Sequence, residues 1–167
     1  MLEWSYSQID IVRSLILLLA ANGAPVLAVL VFGKHWNWPI DGGLILRDGR
    51  HLFGHSKTWR GLLAAIVLTA LVAFILSINL WTGALFGLLA MLGDCLSSFI
   101  KRRLGYPTSS HARGLDTLTE SILPTLLLKQ SLGINWADIL WLALIFFLLE
   151  EFVSPLLYQW HIRNRPY

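Results

Sequence analysis

The sequence predicts an all-α fold, a polytopic membrane helix bundle of about five transmembrane helices, and two observations carry this prediction. First, 56% of the 167 residues are hydrophobic and only 14% are charged, whereas about a quarter of the residues in soluble domains are charged. Second, eleven of the thirteen Lys and Arg residues lie in three short segments between or after apolar runs, at 34–60, 101–113 and 163–165. Positive charge collects on the cytoplasmic side of membrane proteins. The pattern therefore predicts an outside N-terminus, an inside C-terminus and two cytoplasmic loops.

Five apolar runs account for the predicted helices. Most of them approach the roughly 20 residues that cross a hydrocarbon core. The fourth run is shorter, and we expect it to begin in the interface or to pack against its neighbours. The runs cover residues 9–32, 62–81, 82–100, 115–130 and 139–160. They predict one integral membrane domain over residues 1–167, a multi-pass protein of the cell membrane, with cytoplasmic loops at about 33–60 and 101–114 and an uncharged outer turn near 77–80.

Helix-breaking residues interrupt the first apolar run. It contains Asn22, Gly23, Ala24 and Pro25. Lipid cannot satisfy the polar groups that Asn and Pro leave at membrane depth. We therefore expect this face to turn toward protein, with Asn22 bonding across helices as a clamp or lining a lipid entry.

Composition also limits the class of partner. Cys95 is the one cysteine, so an internal disulfide is impossible and the paired cysteines of many zinc sites are absent. Clustered cations at a membrane surface favour anionic lipid headgroups or nucleotide phosphates. No nucleic acid partner is expected, because the spans leave no room for a separate binding domain. The first run lacks a preceding basic stretch and a small-residue cleavage site, so we interpret it as a retained span.

The end of the third run carries residues suited to phosphate chemistry. In a helix, Asp94, Ser98 and Lys101 or Arg102 fall at four- and three-residue steps on one face. A carboxylate can hold Mg²⁺, and a cation can contact a phosphate that the metal bridges. An Asp inside a span costs about 2.5–3.5 kcal/mol on insertion scales, which favours a functional role. The alternative for the basic residues is a helix end with interfacial Lys and Arg anchors.

A second acidic segment begins the fourth run. Asp116 and Glu120 lie one helical turn apart on a common face. Acidic residues near a helix N-terminus are favourable in any case, so a capping role is the alternative. Two carboxylates together with Asp94 would repel one another unless a cation were bound. This repulsion is the physical argument for a Mg²⁺ site.

A third segment precedes the second run. Residues 54–61 contain small residues with Lys57 and Arg60, and the N-terminus of the following helix favours an anion. The spacing is not that of a Walker loop. An interfacial anchor is the alternative interpretation of this segment.

These motifs, in this order, resemble those of a known family, the CTP-dependent phosphatidate cytidylyltransferases, and within it the small CDP-archaeol synthases. The larger enzymes carry a G-D-x-x-x-S-x-x-K-R pattern and then a His five residues before an Asp; the matching residues are Gly93, Asp94, Ser98, Lys101, Arg102, His111 and Asp116. Their S-x-K-K-T-x-x-G element is similar to residues 56–61. The small family adds Asn-x-x-Pro and Pro-Ile-Asp-x-Gly, similar to residues 22–25 and 39–43. The resemblance covers roughly residues 20–125.

The resemblance implies a reaction in which CTP and a phosphatidate-like lipid give a CDP-linked lipid and pyrophosphate, for phospholipid biosynthesis. It implies a Mg²⁺ ion, with a second cation possible, held by Asp94 and Asp116. Family members usually have a second Asp three residues after the first; this chain has Thr119 there, so the neighbouring Glu120 is the substitute ligand. The residues implied to bind the nucleotide or lipid phosphates, or to position the loop that does so, are Asp41, Arg50, Ser56, Lys57, Thr58, Arg60, Ser98, Lys101, Arg102 and His111. The oligomeric state is left open.

Two other functions remain as alternatives. A CTP-dependent lipid kinase of the polyprenol or phytol type would transfer the γ-phosphoryl group to a lipid alcohol. A small membrane adaptor would have basic interfacial loops and no chemistry. Outside these motifs, Glu150 and Glu151 are expected to form a solvated pair near the inner face, or one of them to face the site or pair with Arg163.

Overall fold

The computed structural model is all-α, as predicted, and describes residues 3–108, 110, 112 and 114–159, with side-chain packing for residues 8–108, 110, 112 and 114–152. Its helices are α1 Glu3–Phe32, α2 Trp59–Ile75, α3 Leu80–Arg103, α4 Leu115–Leu127, α5 Lys129–Leu132 and α6 Trp136–Gln159. Two helical segments in the described part are long and apolar enough to cross a membrane, Gln8–Phe32 and Leu80–Arg103. The apolar α2 is shorter.

The first helix is continuous through residues 22–25, and this segment faces protein as predicted, since Ala21 and Ala24 are buried. Pro25 lies inside α1, where its ring lies close to Gly61 at the start of α2. Membrane helices tolerate Pro where neighbouring helices and polar side chains support the backbone. Asn22 donates from Nδ2 to the Leu18 carbonyl oxygen at 3.1 Å within its own helix. The predicted clamp between helices is therefore wrong, because the Nδ2 group bonds within α1.

The second and third helices are separated earlier than the hydropathy indicates. Asn79 is the N-cap of α3 and accepts a hydrogen bond from the Trp81 backbone N–H at 2.8 Å. Such a side-chain cap fixes a helix start more strongly than hydropathy does. Trp81 therefore belongs to α3, although the sequence placed it at the end of the second run.

The fourth helix is short, as predicted, and ends at Leu127 instead of residue 130. Its 13 residues rise only about 20 Å, less than the roughly 30 Å of a hydrocarbon core. It packs against α3 and α6. The short α5 follows and ends at Gly133, whose φ of 69° is left-handed, a conformation that glycine adopts without strain.

The helices pack in sequence, with α2 between α1 and α3, α3 against α4, and α4 against α6. The main apolar core lies toward the end of the bundle that holds the α2–α3 turn. Its buried members are Leu17, Leu18, Ala73, Phe86, Leu132, Ile134, Ile139, Leu142 and Phe146. Ala24, Ala65 and Met91 form a smaller cluster. The other end of the bundle receives the two basic loops.

Both loops are shorter than predicted, because α2 begins and α3 ends inside the predicted loop ranges. Trp59 and Arg60 begin α2, and Lys101, Arg102 and Arg103 complete α3. The remaining connection between α1 and α2 is ordered by two isolated bridges, Pro39 with Thr58 and Ile45 with His51. It lies against the C-terminal end of α3, to which hydrogen bonds fasten it.

Candidate functional site

An ion pair joins the first loop to the third helix. Lys57, just before α2, places Nζ 2.5 Å from both carboxylate oxygens of Asp94 in α3. Burial by itself would lower the pKa of Lys57, but the charges of Asp94 and Glu120 raise this pKa above its ordinary value of 10.5. Lys57 therefore carries a full positive charge at neutral pH. The pair holds a cation and a carboxylate together at the loop end of the bundle.

The third and fourth helices approach most closely beside this pair. A Cβ atom on Gly93 would lie 2.2 Å from the Thr119 carbonyl oxygen, so only glycine fits this contact. The close approach brings the Glu120 carboxyl group of α4 beside that of Asp94. Glu120 is only 5% exposed. Two carboxyl groups from different helices thus share one buried environment with the Lys57 ammonium.

A second ion pair joins the C-terminal end of α3 to the N-terminal end of α4. Lys101 of α3 places Nζ 2.7 Å from Asp116 Oδ1 in α4 and donates to the Ser110 carbonyl oxygen at 3.0 Å. Asp116 Oδ2 accepts from the Ala112 backbone N–H at 3.2 Å. Both charged residues are buried. A buried charge of this kind is stable only while it keeps its partner.

The face of α3 that the sequence predicted is buried against the loops. Ser98 is 3% exposed and Arg102 is 4% exposed. Arg102 donates from Nη2 to the Ser110 hydroxyl at 3.2 Å. Its Nη1 atom lies 3.7 Å from where a Cβ on Gly54 would be. Arg102 therefore stands between the two loops, close to the backbone of the Gly54 segment.

Asp41 and Arg50 stabilise the first loop and its contact with α3. Asp41 accepts hydrogen bonds from the backbone N–H groups of Gly43, Phe53 and Gly54 at 2.9, 2.9 and 3.0 Å. Burial opposes ionisation of Asp41, but these hydrogen bonds lower its pKa below the ordinary 3.8. Arg50 donates from Nη1 to the carbonyl oxygens of Arg102 and Arg103 at 3.2 and 2.6 Å. The loop is therefore folded by Asp41 and fastened to the end of α3 by Arg50.

A small cavity lies beside the Lys57–Asp94 pair, among residues of α1, α2, α3 and the first loop. Its volume is 40 Å³, about the space of one water molecule. The polar side of its lining comes from Ser56, Lys57, Thr58 and Asp94. The other side is apolar and comes from Pro25, Ile40, Leu62 and Met91. The cavity therefore joins a charged wall to an apolar wall.

Other predicted residues have different placements. Thr58 is the N-cap of α2, and its hydroxyl accepts from the Gly61 backbone N–H at 3.2 Å. Arg60 donates to the carbonyl oxygens of Gly33 and His35 at 2.8 and 2.7 Å. The structure therefore directs Arg60 to the end of α1 and not to the Lys57–Asp94 pair. His111 lies outside the described residues, as does Arg163.

The predicted metal ligands are only partly together. Among residues 8–108, 110, 112 and 114–152, no group of three or more His, Cys, Asp or Glu side chains is arranged to hold a metal ion. Asp94 and Glu120 are adjacent, while Asp116 is held by Lys101. The donors fit Mg²⁺ in kind, because carboxylate oxygens are the ligands that this hard cation prefers. The residues present are thus compatible with a divalent cation at the Asp94–Glu120 contact.

Glu150 and Ser110 contact residues of the candidate site, whereas the sequence favoured a solvated Glu150–Glu151 pair and did not single out Ser110. Glu150 of α6 accepts a hydrogen bond from the Thr117 hydroxyl at 2.7 Å, and its charge acts on Glu120. The sequence signal for this contact was the row of polar residues along α4, because polar side chains that are buried need hydrogen-bond partners. Ser110 holds both Lys101 and Arg102, and nothing in the sequence singles it out from the surrounding Ser and Thr residues.

Comparison with known proteins adds independent findings. The model of the family described as CarS-like, CDP-archaeol synthase, matches residues 8–167. The CDP-archaeol synthase of Saccharolobus solfataricus is 36% identical over 135 residues, which covers 77% of this chain and 81% of that protein. The CDP-archaeol synthase of Hyperthermus butylicus is 40% identical over 116 residues, covering 66% of each protein.

A solved structure is also similar. It is that of an intramembrane enzyme for archaeal membrane lipid biosynthesis, with a TM-score of 0.74 and 27% sequence identity. The match covers 86% of this chain and 91% of that structure. The similarity therefore extends over nearly the whole bundle.

Proposed function

The chain belongs to the CDP-archaeol synthase family, and we propose that it transfers the cytidylyl group of CTP to an archaeol-type lipid phosphate, giving CDP-archaeol and pyrophosphate. It is an enzyme, a CTP-dependent nucleotidyltransferase of archaeal membrane lipid biosynthesis, and it is an intramembrane protein. We propose that the active site is formed by the Lys57–Asp94 pair and its neighbours at the loop end of the bundle.

In the proposed reaction, an oxygen of the lipid phosphate attacks the α-phosphorus of CTP. The bond from that phosphorus to the oxygen bridging to the β-phosphorus breaks, and pyrophosphate leaves with this oxygen. A lipid phosphate is already ionised near neutral pH, so no strong general base is needed. Such transfers depend mainly on positioning and on charge stabilisation. The protein must therefore supply cations and a fixed alignment.

The observation that supports the assignment is the pair of Lys57 with Asp94 beside Glu120. It places an ammonium group and two carboxyl groups next to a cavity with one apolar wall. Because that cavity has room for about one water molecule, a nucleotide has to separate the pair on entry. Lys57 then exchanges the Asp94 carboxylate for a phosphate oxygen, and Asp94 becomes available to a cation.

Asp94 and Glu120, with Asp116 nearby, would hold the divalent cation, for which we propose Mg²⁺, with a second cation possible. When bound, such an ion neutralises charge on the triphosphate and orients it for attack. Lys101 and Arg102 extend the cationic wall toward the second loop, where His111 follows in the sequence. Ser56, Thr58 and Ser98 supply hydroxyl groups for phosphate oxygens. The catalytic group proposed is thus Asp94, Asp116, Lys57 and Lys101.

The remaining predicted residues support the loop in this scheme. Asp41 folds it, Arg50 fastens it to α3, and Arg60 ties the start of α2 to the end of α1. A phosphate contact by Arg60 stays a prediction and requires its guanidinium to leave these carbonyl oxygens. The apolar wall formed by Pro25, Leu62 and Met91 faces the same cavity and suits the start of the lipid chains.

We propose one membrane domain in which α1, α2, α3, α4 and α6 correspond to the five predicted spans, with both loops and the C-terminus on the cytoplasmic side. The support is the clustering of the cations at the loop end of the bundle. At the opposite end, the α2–α3 turn carries no charge. Substituted-cysteine labelling of Ser77 and His55, after replacement of Cys95, tests this orientation. Labelling of both positions from the same side of sealed vesicles would contradict it.

The reaction itself is tested with CTP labelled in two positions. We expect label at the α-phosphorus to enter the lipid and label at the γ-phosphorus to leave as pyrophosphate, in the presence of Mg²⁺ and an archaeol-type lipid phosphate. Transfer of the γ-label to a lipid alcohol would instead indicate a lipid kinase. An Asp138→Asn protein is the control for the Asp94→Asn protein, because Asp138 is an aspartate in the first turn of α6, at the other end of the bundle.

A further inference from the structure

A second, polar cavity lies at the end of the bundle opposite the Lys57–Asp94 pair. It is bounded by α1, the α2–α3 turn and α5, and its volume is 330 Å³, within the range of small-molecule sites. The length of α2 separates the two ends, since its 17 residues rise about 25 Å. This cavity is therefore distinct from the proposed transferase site.

A buried hydroxyl group without a partner lines the cavity. Ser14 is fully buried, and its Oγ atom has no hydrogen-bond partner among the described residues. Buried polar groups in proteins are nearly always hydrogen-bonded, because an unmade bond costs stability. Two other buried serines bond to their own helix: Ser97 donates to the Asp94 carbonyl oxygen at 2.9 Å and Ser121 to the Thr117 carbonyl oxygen at 2.6 Å. The Ser14 hydroxyl is therefore available to a molecule in the cavity.

Most of the remaining lining residues are polar, beside the apolar Ile78 and Leu132, and the lining has no net charge. Asp10 and Arg13 neutralise each other in an ion pair with Oδ1 and Nη1 3.4 Å apart. Asn79 uses Oδ1 to cap α3, which leaves its NH₂ group as a donor. Gln130 adds an amide group that both donates and accepts. A ligand carrying a net charge would find no uncompensated opposite charge on these walls.

We infer that this cavity binds a neutral polyhydroxyl group, carried either by a sugar or polyol headgroup of a lipid or by a free polyol. Hydroxyl groups donate and accept hydrogen bonds at once, which matches a lining of hydroxyl and amide groups. The Ser14 hydroxyl bonds to the deepest hydroxyl of the ligand, and Gln130 contacts it at the opening.

The test uses the full-length protein in nanodiscs of a choline lipid and has two arms. In the first, isothermal titration measures binding of myo-inositol, with phosphocholine as the charged comparison. In the second, native mass spectrometry measures retention of a glucosyl-headed lipid against the choline lipid. We expect polyol binding in at least one arm, and the arm in which it appears identifies the source. Binding is expected to weaken about fivefold in Ser14→Ala and in Gln130→Ala.

Ser14→Ala is expected to fold normally, because it removes a hydroxyl that makes no bond in the protein. Ser97→Ala removes an equally buried hydroxyl at the other end of the bundle and should leave polyol binding unchanged. Three results would overturn the inference: no polyol binding in either arm, polyol binding that Ser14→Ala and Gln130→Ala leave intact, or tighter binding of phosphocholine than of inositol.

Discussion

The two ends of the helix bundle differ in the ion pairs that they bury. At the loop end, Lys57 pairs with Asp94 and Lys101 pairs with Asp116, so buried charges are matched inside the protein. At the other end, residues of α1, α3 and α6 form an apolar core. The buried Ser14 hydroxyl there has no partner among the described residues. The paired charges of the loop end lie where we propose that the charged substrate binds.

The largest expected effect is on catalysis at Asp94. Asp94→Asn keeps the shape of the side chain but removes the charge that pairs with Lys57, and we expect the rate of CDP-lipid formation to fall about 10²–10³-fold. Initial rates with α-labelled CTP measure this change. Asp138→Asn, at the opposite end, should alter the rate little. Equal rates for the Asp94→Asn and unaltered proteins would remove this residue from the site.

The Lys101–Asp116 pair tests whether the buried charges at the loop end serve stability or catalysis. Lys101→Met leaves Asp116 buried and unpaired, so we expect a loss of about 3–5 kcal/mol in the free energy of unfolding. Adding Asp116→Leu should restore much of this stability, because apolar pairs of similar size often replace buried ion pairs without loss. Unfolding in mild detergent and activity are measured together.

We expect the double variant to be folded and inactive, because both of its altered residues belong to the proposed catalytic group. A double variant that is both stable and active would mean that Lys101 and Asp116 serve the fold alone.

The close approach of α3 and α4 gives a smaller effect. Gly93→Ala would place a methyl group against the Thr119 carbonyl oxygen, and we expect a loss of about 1–3 kcal/mol in stability with reduced activity as Asp94 and Glu120 separate. Gly23→Ala is the matched control, because a Cβ atom there would have no atom of another helix within 4 Å. Thermal unfolding in detergent compares the two. The same loss in both variants would indicate a helix effect unrelated to the α3–α4 contact.

The smallest effect is the pH dependence of the first loop. Because the folded pKa of Asp41 is below 3.8, its ionised form stabilises the loop above that pH. This contribution disappears as the pH falls through the lower, folded value. Asp41→Asn should remove the dependence and make the loop more susceptible to limited proteolysis at neutral pH. Asp10→Asn, which removes a carboxylate at the other end of the bundle, is the control; the same acid dependence in Asp41→Asn would assign it to other groups.

Much of the site was predictable because its motifs are local in sequence. The face formed by Asp94, Ser98 and Lys101 follows from helix periodicity, and the α3–α4 contact at Gly93 brings Glu120 to it. The roles of Arg60 and Asn22 were not predictable in this way. Each has several acceptors within reach, and which carbonyl oxygen accepts its hydrogen bonds depends on the path of the backbone.

Sequence alone determined the helical class, the apolar runs, the end of the molecule that gathers positive charge and the family of the enzyme. These properties depend on composition and on short-range spacing, which survive without coordinates. Tertiary structure alone decided that Lys57 meets Asp94, that Glu150 meets Thr117 and that Ser14 opens onto a polar cavity. The reason is that such contacts join helices far apart in the chain. They depend on how closely those helices pack, which one-dimensional periodicity does not contain.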